Sequence, residues 1–298
     1  MRNRSEALAA ALTAATRRLS GAGVADAQRD ARVLLREALG VDGPGLAVAL
    51  GSATHPGESE NPDLALARFA ELIERRAARV PVSHLLGRRE FYGRSFRVDG
   101  RALDPRPDSE TLVSAALRHL PFDAPARVLD LGVGSGCLLL SVLAERPLAS
   151  GVGVDRSADA LTLAAENAAH LSVDPPLGPR VTLVRGDWLD AAPPGPPFDL
   201  ILCNPPYIAS DDVDGLEPEV RLHEPLEALT PGPDALAAYR ALAPKLAALL
   251  SEPEGAVLFE VGRGQAAAVR ALLAKVGFRV SLLQDLNGVE RVVCGELA

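Results

Sequence analysis

Residues 127–140 have the sequence RVLDLGVGSGCLLL, which passes from a strand pattern through a glycine-rich loop into a helix pattern. Gly132, Gly134 and Gly136 allow a tight turn and a close approach of a ligand to the main chain. The spacing differs from the dinucleotide fingerprint G-x-G-x-x-G, because Gly136 lies two positions after Gly134 and the fingerprint requires three. Asp130 precedes the loop, where a carboxylate repels a pyrophosphate and favours an ammonium or a sulfonium. The stretch therefore predicts a site for S-adenosylmethionine in preference to NAD.

An alternation of strand and helix patterns extends from residue 126 towards the C-terminus. Strands are predicted at 127–131, 151–155, 181–184, 198–203, 256–261, 278–283 and 291–294, and helices at 136–145, 157–171, 234–250 and 265–276. Such repetition implies an α/β fold, in which a mostly parallel seven-stranded sheet has helices on both faces. The connection between the last two strands is too short for a crossover helix, so this pair should be antiparallel.

Two of these strand ends carry candidate nucleoside ligands. Asp155 ends the second strand, where an acidic side chain reaches ribose hydroxyls in nucleotide-binding sheets. The alternative interpretation is that Asp155 only begins the next helix, although Ser157 is the better N-cap. Asp187 and Trp188 follow the third strand, and we expect the carboxylate to accept from an adenine amino group and the indole to pack on the ring. A plain core position is the alternative for Trp188, the one tryptophan of the sequence.

The fourth strand ends within FDLILCNPPYIAS, residues 198–210. Neither proline can donate a ladder hydrogen bond, so the strand should stop at Asn204. The side-chain oxygen of Asn204 and the carbonyl of Pro205 can hold both N–H groups of an amide or aromatic amine, which localises the nitrogen lone pair. Pro205 and Pro206 stiffen the turn, and Tyr207 offers an aromatic face to a planar acceptor and a positive charge. The segment predicts methyl transfer to a planar nitrogen; an ordinary proline-rich turn is the alternative.

The region before the sheet has helical patterns. Two helices are predicted over 5–40 and a third, capped by Asp63, to about residue 79, with a loop at 51–62. The other predicted N-caps are Ser5 and Asp26, and the predicted stops are Gly21 and Gly40. A short hairpin or two extended arms, with Gly93 at the bend, should follow, and Asp108 should cap the next helix. We predict a helical docking domain at 1–81, a linker with the hairpin at 82–107, and the catalytic domain at 108–298.

Composition and charge limit the classes of function. The net charge of −8 argues against a nucleic-acid-binding face, although arginines gather in the first third. No apolar stretch approaches the roughly 20 residues that span a bilayer, and arginines come too early for a signal peptide. Cys137, Cys203 and Cys294 lie far apart in apolar runs and are interpreted as reduced core residues, with no zinc spacing. We expect a cytoplasmic monomer that binds no membrane, no metal and no specific nucleic-acid sequence.

Together these motifs resemble those of a known family. NPPY with LDLGVGSG resembles the N-methyltransferases of amide and exocyclic amino nitrogens. The segments PVSHLLGRREFYG, LDPRPDSETLV, VGVDRSADAL, GDW, EVRLHEPLEAL, LFEVGRGQ and DLNGVERVV then follow in the order seen in protein-(glutamine-N5) methyltransferases of the HemK/PrmC type. The resemblance covers nearly all of 70–298. It implies a seven-stranded, Rossmann-like S-adenosylmethionine-dependent methyltransferase sheet with a small all-helical N-terminal domain, acting on the glutamine of the Gly-Gly-Gln loop of peptide chain release factors.

The resemblance also implies residue roles. It assigns S-adenosylmethionine to Gly132, Val133, Gly134, Ser135, Gly136, Asp155 and Trp188, with Asn204 near both ligands. The glutamine side chain would contact Leu103, Asn204, Pro205, Pro206 and Tyr207. Two positions depart from the family pattern, because Asp104 replaces a valine or isoleucine and Val133 replaces a threonine. The run RPDSE favours release factors over a ribosomal protein by analogy alone.

Other classes of protein predict different features. A DNA adenine N6-methyltransferase can present the same tetrapeptide, but it needs a base-flipping channel and a basic groove. A non-catalytic S-adenosylmethionine-binding module would keep the glycine loop and Asp155 without any use for the segment at Asn204. An NAD-linked dehydrogenase is disfavoured by the glycine spacing.

Overall fold

The computed structural model describes residues 4–51 and 62–297. The chain forms two compact units. One comprises Met1–Gly87 with Glu217–His223, and the other comprises Arg88–Leu216 with Glu224–Ala298. The structure therefore groups 82–87 with the helices and the rest of the predicted linker with the sheet. The loop predicted at 51–62 lies almost wholly outside the described residues.

Six helices make up the helical unit in the described part of the chain. They are α1 (Arg4–Gly21), α2 (Ala27–Leu39), α3 (Gly43–Gly51), α4 (Pro62–Ala77), α5 (Val82–Leu86) and α9 (Pro218–His223). Apolar side chains at helical spacing form their core, with Leu19, Leu34 and Phe69 at its centre. The predicted stop at Gly40 is confirmed: its φ of 64° is left-handed, and its N–H donates to the carbonyls of Arg36 and Glu37.

Of the three predicted N-caps, two are wrong and Asp26 is confirmed in position only. Ser5 lies inside α1, which begins at Arg4. Asp26 occupies the N-cap position of α2, but its side chain makes no capping hydrogen bond. Asp63 lies in the first turn of α4, which begins one residue earlier. A carboxylate in the first turn still interacts favourably with the helix dipole, so the sequence signal for the start of a helix was correct to within one residue.

Helix α9 joins the helical unit through charge pairs. Glu219 accepts hydrogen bonds from Arg79 Nε at 2.9 Å and Nη2 at 2.6 Å, and Arg76 Nη2 lies 2.7 Å from it. Burial alone would raise the pKa of Glu219, but these two arginines hold it below its usual value. A segment that is distant in sequence thus completes the helical unit, and no local pattern indicated this.

The second unit contains the sheet and a hairpin. Its strands are β1 (Arg88–Phe91), β2 (Arg94–Arg97), β3 (Ala126–Leu131), β4 (Ala149–Asp155), β5 (Val181–Arg185), β6 (Leu200–Cys203), β7 (Ala256–Glu260), β8 (Phe278–Gln284) and β9 (Glu290–Leu297). The hairpin β1–β2 turns on Tyr92 and Gly93, both at positive φ, which matches the twist of a two-residue loop. The predicted hairpin with Gly93 at its bend is confirmed.

The seven-stranded sheet has the order β5-β4-β3-β6-β7-β9-β8. Neighbouring strands are parallel from β5 to β7, and β9 pairs antiparallel with both β7 and β8. Val128 packs on one face of the sheet and Leu129 on the other, so helices cover both faces. The predicted α/β fold with a terminal antiparallel pair is confirmed.

Helices connect the strands. The structure differs from the predictions in the end of one helix, in one N-cap and in the start of one strand. They are α6 (Glu110–His119), α7 (Cys137–Glu145), α8 (Ala158–His170), α10 (Leu226–Leu229), α11 (Ala237–Leu242) and α12 (Ala266–Lys275). The helix predicted at 234–250 ends at Leu242, because Pro244 cannot continue the hydrogen-bond ladder and two 3-10 turns follow. Asp108 does not cap α6; Ser109 precedes that helix, and the Asp108 carboxylate pairs with Arg291 at 2.8 Å. Phe198, predicted as a strand start, makes only an isolated bridge with Leu250.

The strand order determines where a ligand site can form. The chain moves outward from β3 to β4 and β5, then returns to pair β6 with the other side of β3. The carboxyl ends of β3 and β6 are therefore adjacent while their connections leave in opposite directions. Open α/β sheets bind ligands in the crevice at such a switch point.

Candidate active site

A cavity of about 380 Å³ opens at the carboxyl edge of β3, β4, β5 and β6. Its lining contains most of the predicted site residues: Leu103, Gly132, Val133, Gly134, Ser135, Asp155, Asp187, Trp188, Asn204 and Pro206. Within the described residues, the lining leaves out Asp130, Gly136, Pro205 and Tyr207. The structure thus brings the predicted nucleoside and acceptor segments to one cavity.

The glycine loop is held by hydrogen bonds to β4. Gly132 and Val133 donate to the carbonyl of Val154 at 2.8 and 3.0 Å, and Gly134 N–H donates to Asp155 Oδ2 at 2.9 Å. The three loop glycines have φ values of 77°, 53° and 82°, which other residues adopt at a cost. The backbone of the loop therefore lies along the cavity because glycine permits its conformation.

Asp155 has a structural role at the end of β4. Besides Gly134, it accepts from the N–H of Ser157 at 2.9 Å, while Ser157 Oγ caps α8 by accepting from Ala160. The prediction that Ser157 is the N-cap is confirmed. A carboxylate has about four lone-pair sites, so two accepted bonds leave capacity for a ligand hydroxyl. The ribose role of Asp155 stays a prediction.

Asp130 lies beneath the loop with no exposed surface. The pKa of this carboxyl is raised to about 7, chiefly by burial; the backbone amide of Leu139 lowers the pKa and the charge of Asp155 raises it, each by less than burial does. Among the described residues, neither Asp130 oxygen has a hydrogen-bond partner. Asp130 can therefore act on a ligand through its charge but not by direct contact with the cavity.

Trp188 has an unusual backbone beside the glycine loop. Its φ of 47° is left-handed, which costs energy for a bulky residue and is found where the surroundings fix it. A Cβ added at Gly132 would lie 3.6 Å from the indole, so the ring packs directly over the loop. Trp188 also packs against the core on one face of the sheet and lines the cavity, and its contact with adenine stays a prediction.

The segment at Asn204 ends β6 as predicted, immediately after Cys203. Asn204 and Pro206 are half-buried and line the cavity, whereas Pro205 is buried. Burial raises the pKa of Tyr207 to about 12, with the Glu260 charge contributing, so this phenol is neutral near pH 7. Tyr207 is therefore unsuited to act as a base and offers its ring and its main chain.

Several site residues were not predicted from the sequence. Glu260 ends β7 with 1% of its surface exposed, and burial raises its pKa to about 7 although Ser109 and Arg291 favour its charged form. Arg106 lines the cavity and donates to both oxygens of buried Glu224, at 2.7 and 2.8 Å. A glutamate inside the apolar strand AVLFE was the available signal for Glu260, since charged residues are rarely fully buried.

Leu103 and Asp104 precede the PRP run at the cavity wall. Leu103 lines the cavity, as its predicted contact with the acceptor requires. Asp104, which departs from the family pattern, is buried, and one of its oxygens lies 3.7 Å from Arg89 Nη1. The carboxylate that departs from the family pattern is therefore paired with an arginine of the β1–β2 hairpin.

Outside this cavity, one group of described side chains has metal-ligand chemistry. His119, Cys294 and Glu296 place their ligand atoms within 4.8 Å of one another. Each has a protein partner, since His119 Nε2 lies 3.3 Å from Cys294 Sγ and Arg279 pairs with Glu296 at 2.7 Å.

In the part of the chain that the structure describes, no helix is long and apolar enough to cross a bilayer.

The residues around the cavity fit S-adenosylmethionine. The loop supplies close main-chain approach, Asp155 and Asp187 supply acceptors, and Trp188 supplies a ring for a base. Asp130 is buried at the end of β3, just before the glycine loop, and in its charged form it would favour a cation. Small side chains at Ala160, Ala237, Ala238 and Ala241 leave the cavity its width. Fold and site together define a methyltransferase.

A comparison with solved structures bears on the fold. The structure matches that of the hMettl16 catalytic domain in complex with MAT2A 3'UTR hairpin 6, with a TM-score of 0.56 and 15% identity, over 76% of this chain and 82% of that chain. At this identity the match shows the fold alone.

Comparison with sequences identifies the family. The PrmC N-terminal domain matches residues 10–87, and the methyltransferase small domain matches residues 108–232. The release factor glutamine methyltransferase of Cereibacter sphaeroides is 47% identical over 96% of this chain and 97% of its own length. That of Caulobacter vibrioides is 43% identical over 97% of this chain and 96% of its own length. The chain belongs to the release factor glutamine methyltransferase family.

Proposed function

We propose that this protein transfers a methyl group from S-adenosylmethionine to the side-chain amide nitrogen, N5, of the glutamine in the Gly-Gly-Gln motif of peptide chain release factors. The observation that carries the proposal is the placement of Asn204 at the same cavity as the glycine loop, Asp155 and Trp188. A nucleoside site alone would serve many reactions, whereas Asn204 adds acceptors suited to a planar amide.

Activation of the acceptor nitrogen is the task of the Asn204-Pro205-Pro206-Tyr207 segment. An amide nitrogen is a poor nucleophile because its lone pair is delocalised into the carbonyl. The Asn204 side-chain oxygen and the Pro205 carbonyl accept from its two N–H groups and orient its lone pair. The two prolines keep these acceptors from folding back into the sheet. The Tyr207 ring packs on the planar group.

S-adenosylmethionine, when bound, supplies an electrophilic methyl group on a positively charged sulfur. The protein needs no strong base for this reaction, since a neutral nucleophile meets a cation and charge disperses in the transition state. Alignment at short distance and exclusion of water are then the main sources of rate. Asp130 and Asp155 favour the cation by their charge, and the surplus proton leaves after the transfer.

The protein substrate also gives the helical unit a role. The methylated glutamine is flanked by glycines, which lack side chains and allow the loop to enter a narrow cavity. We infer that the helical unit binds the release factor away from the reacting atoms and holds the loop in place. Remote binding energy can be used for positioning in this way. The role in translation termination and a cytoplasmic location follow from this substrate.

The rival substrates are less well supported. A glutamine of a ribosomal protein would fit the same amide chemistry, but the names of both relatives above specify release factors. DNA adenine would require a basic groove for the phosphate backbone, and the net charge of −8 opposes it.

A single labelling experiment tests the proposal. The protein is incubated with methyl-labelled S-adenosylmethionine, a whole release factor, a ribosomal protein mixture and duplex DNA, in separate and combined reactions. We expect label on the glutamine of the Gly-Gly-Gln motif, located by peptide mass spectrometry. Label on adenine, or on a ribosomal protein in preference to the factor, would overturn the substrate assignment.

A further inference from the structure

The stretch EVGRGQ, residues 260–265, lies against the Asn204-Pro205-Pro206-Tyr207 segment. Strands β6 and β7 are parallel neighbours, with Cys203 paired to Phe259 at their carboxyl ends. The next residues along the two strands are Asn204 and Glu260, which therefore lie side by side at the carboxyl edge of the sheet. The two segments share one edge of the sheet, and their contacts can be followed residue by residue.

Gln265 connects the two segments by hydrogen bonds at both ends of its amide. Its Oε1 accepts from the N–H of Gly262 at 3.0 Å, and its Nε2 donates to the carbonyl of Tyr207 at 2.8 Å. Gln265 is half-buried and lies outside the cavity lining of the described residues. It therefore acts on the main chain of the tetrapeptide and not on a ligand.

Gly262 allows the close approach of the Tyr207 ring. A Cβ at this position would lie 3.0 Å from Tyr207 Cδ2 and 3.0 Å from Gln265 Oε1. Both distances are tighter than ordinary contacts, so a larger residue would push the ring or the Gln265 amide away. The absence of a side chain at Gly262 therefore allows the Tyr207 ring and the Gln265 amide to keep their positions.

Glu260 supports the other end of the tetrapeptide. Its backbone is fixed, because its carbonyl accepts from the hydroxyl of Tyr239 at 2.8 Å. Its carboxyl is buried, and among the described residues Oε2 has no hydrogen-bond partner. The Asn204 side chain lies beside this carboxyl and favours its charged form. In its charged form this carboxyl only accepts hydrogen bonds, so it then selects the amide orientation that turns the Asn204 NH₂ group towards it and leaves the oxygen for the acceptor substrate.

We propose that residues 260–265 position the catalytic tetrapeptide from behind: Glu260 orients the Asn204 amide, and Gln265 holds the main chain at Tyr207. Both are positioning residues, since they act through the segment that meets the substrate. The inference rests on the proposed function, because the acceptor alignment that it explains belongs to that reaction.

Two substitutions at Gln265 test the proposal. Gln265→Met keeps the size but removes both hydrogen bonds, and we expect kcat to fall roughly 10- to 100-fold, with KM and the Kd for S-adenosylmethionine changed less than about twofold. In Gln265→Glu a charged carboxylate faces the Tyr207 carbonyl and cannot donate to it. When protonated, the same side chain donates to Tyr207 and accepts from Gly262. Its kcat relative to wild type should therefore recover as the pH falls from 8 to 5.5.

Glu260→Gln provides the second measurement. The variant keeps the shape but allows either orientation of the Asn204 amide, so kcat should fall with cofactor binding preserved. Gln284→Glu, at an exposed position on β8 in the same unit, is the control and should match wild type at each pH.

The outcomes separate the two proposals. If the wild-type protein labels no release factor, the proposed function fails before any variant is measured. If the wild type is active and Gln265→Glu keeps a constant fraction of its activity across this pH range, the positioning role of Gln265 is wrong. Equal losses of kcat and of S-adenosylmethionine affinity in the variants would instead show general damage to the fold and would also overturn it.

Discussion

At the scale of single residues, the proposed chemistry depends on Asn204, which directly follows β6 and lines the cavity. Asn204→Ala removes one of the two acceptors for the substrate amide and leaves the nucleoside side of the cavity unchanged. We expect kcat to fall roughly 10- to 100-fold, which corresponds to about 1.4–2.8 kcal/mol, with a smaller rise in KM. Steady-state kinetics with a whole release factor measure both constants.

The control for this experiment is Asn287→Ala, which removes an exposed asparagine from the turn between β8 and β9. It should leave both constants unchanged. A near-normal kcat in Asn204→Ala would remove Asn204 from the mechanism.

A substitution at Trp188 distinguishes contact with the cofactor from packing in the core. Because the indole lies over the glycine loop and lines the cavity, Trp188→Ala should weaken S-adenosylmethionine binding by about 1–3 kcal/mol, the usual contribution of a stacked aromatic ring. Calorimetric titration of the cofactor measures this loss. Phe122→Ala, at an exposed aromatic outside the described lining, should bind normally. If Trp188→Ala lowers only the melting temperature, the residue serves the core alone.

Asp130 links stability to pH. Its folded-state pKa of about 7 lies above the ordinary 3.8, so its contribution to stability is greatest below pH 3.8 and is lost as the pH rises through 7. Above pH 7 the folded state must bury the charged Asp130 carboxylate, which lowers its stability. Asp130→Asn removes this charge, so the free energy of unfolding at pH 8 should rise by on the order of 1–4 kcal/mol, with little change near pH 4. Denaturant unfolding at the two pH values measures the difference.

The same substitution should weaken S-adenosylmethionine binding, because a negative charge beneath the loop is lost. Asp123→Asn, at an exposed position in the same unit, should change neither quantity. Lower stability of Asp130→Asn at pH 8 would mean that the buried carboxylate is stabilised by its surroundings, contrary to this argument.

At the scale of elements, the passage from the glycine loop into α7 is sterically tight. Gly136 has a φ of 82°, and a Cβ there would lie 2.9 Å from Leu140 Cδ1 and 3.4 Å from Ala164. Gly136→Ala combines backbone strain with overpacking and should destabilise the protein by roughly 1–3 kcal/mol. Thermal unfolding measures this change.

Gly178→Ala is the matched control for the loop. Gly178 lies in a 3-10 turn with open space around its Cα, so an added methyl group should change stability by less than about 0.5 kcal/mol. Equal stability of the two variants would show that α7 can shift to accommodate the methyl group.

At the scale of the whole molecule, the helical unit is closed by α9 through Arg76 and Arg79 with Glu219. A deletion of residues 1–80 would strip this segment of its partners, so a point substitution tests the docking role more cleanly. Glu219→Ala should raise KM for a whole release factor about tenfold while kcat/KM for a short Gly-Gly-Gln peptide stays the same, because the peptide has no remote contacts to lose. Parallel kinetics with the two substrates give the ratio.

Glu74→Ala is the control for the docking experiment. It breaks an exposed pair with Arg18 in the same unit and should leave the preference for the whole factor unchanged. If wild-type protein methylates the peptide as well as the whole factor, the helical unit has no docking role in catalysis.

The local sequence determined the sheet and the direction of its strands. Alternating strand and helix patterns, the glycine spacing at 132–136 and the prolines after Asn204 act over a few residues, so their consequences could be predicted. The errors at this level were small and had local causes, such as the end of α11 before Pro244 and the cap positions of α1 and α4.

Only the tertiary structure decided which distant residues meet. Strand pairing brings Glu260 beside Asn204, hydrogen bonds bring Gln265 to Tyr207, and charge pairs bring Glu219 to Arg79. These contacts join positions far apart in sequence and depend on the order β3-β6-β7 and on packing within each unit. Periodicity has no information about such pairs, because it reports which face of an element is buried and not which neighbour covers it.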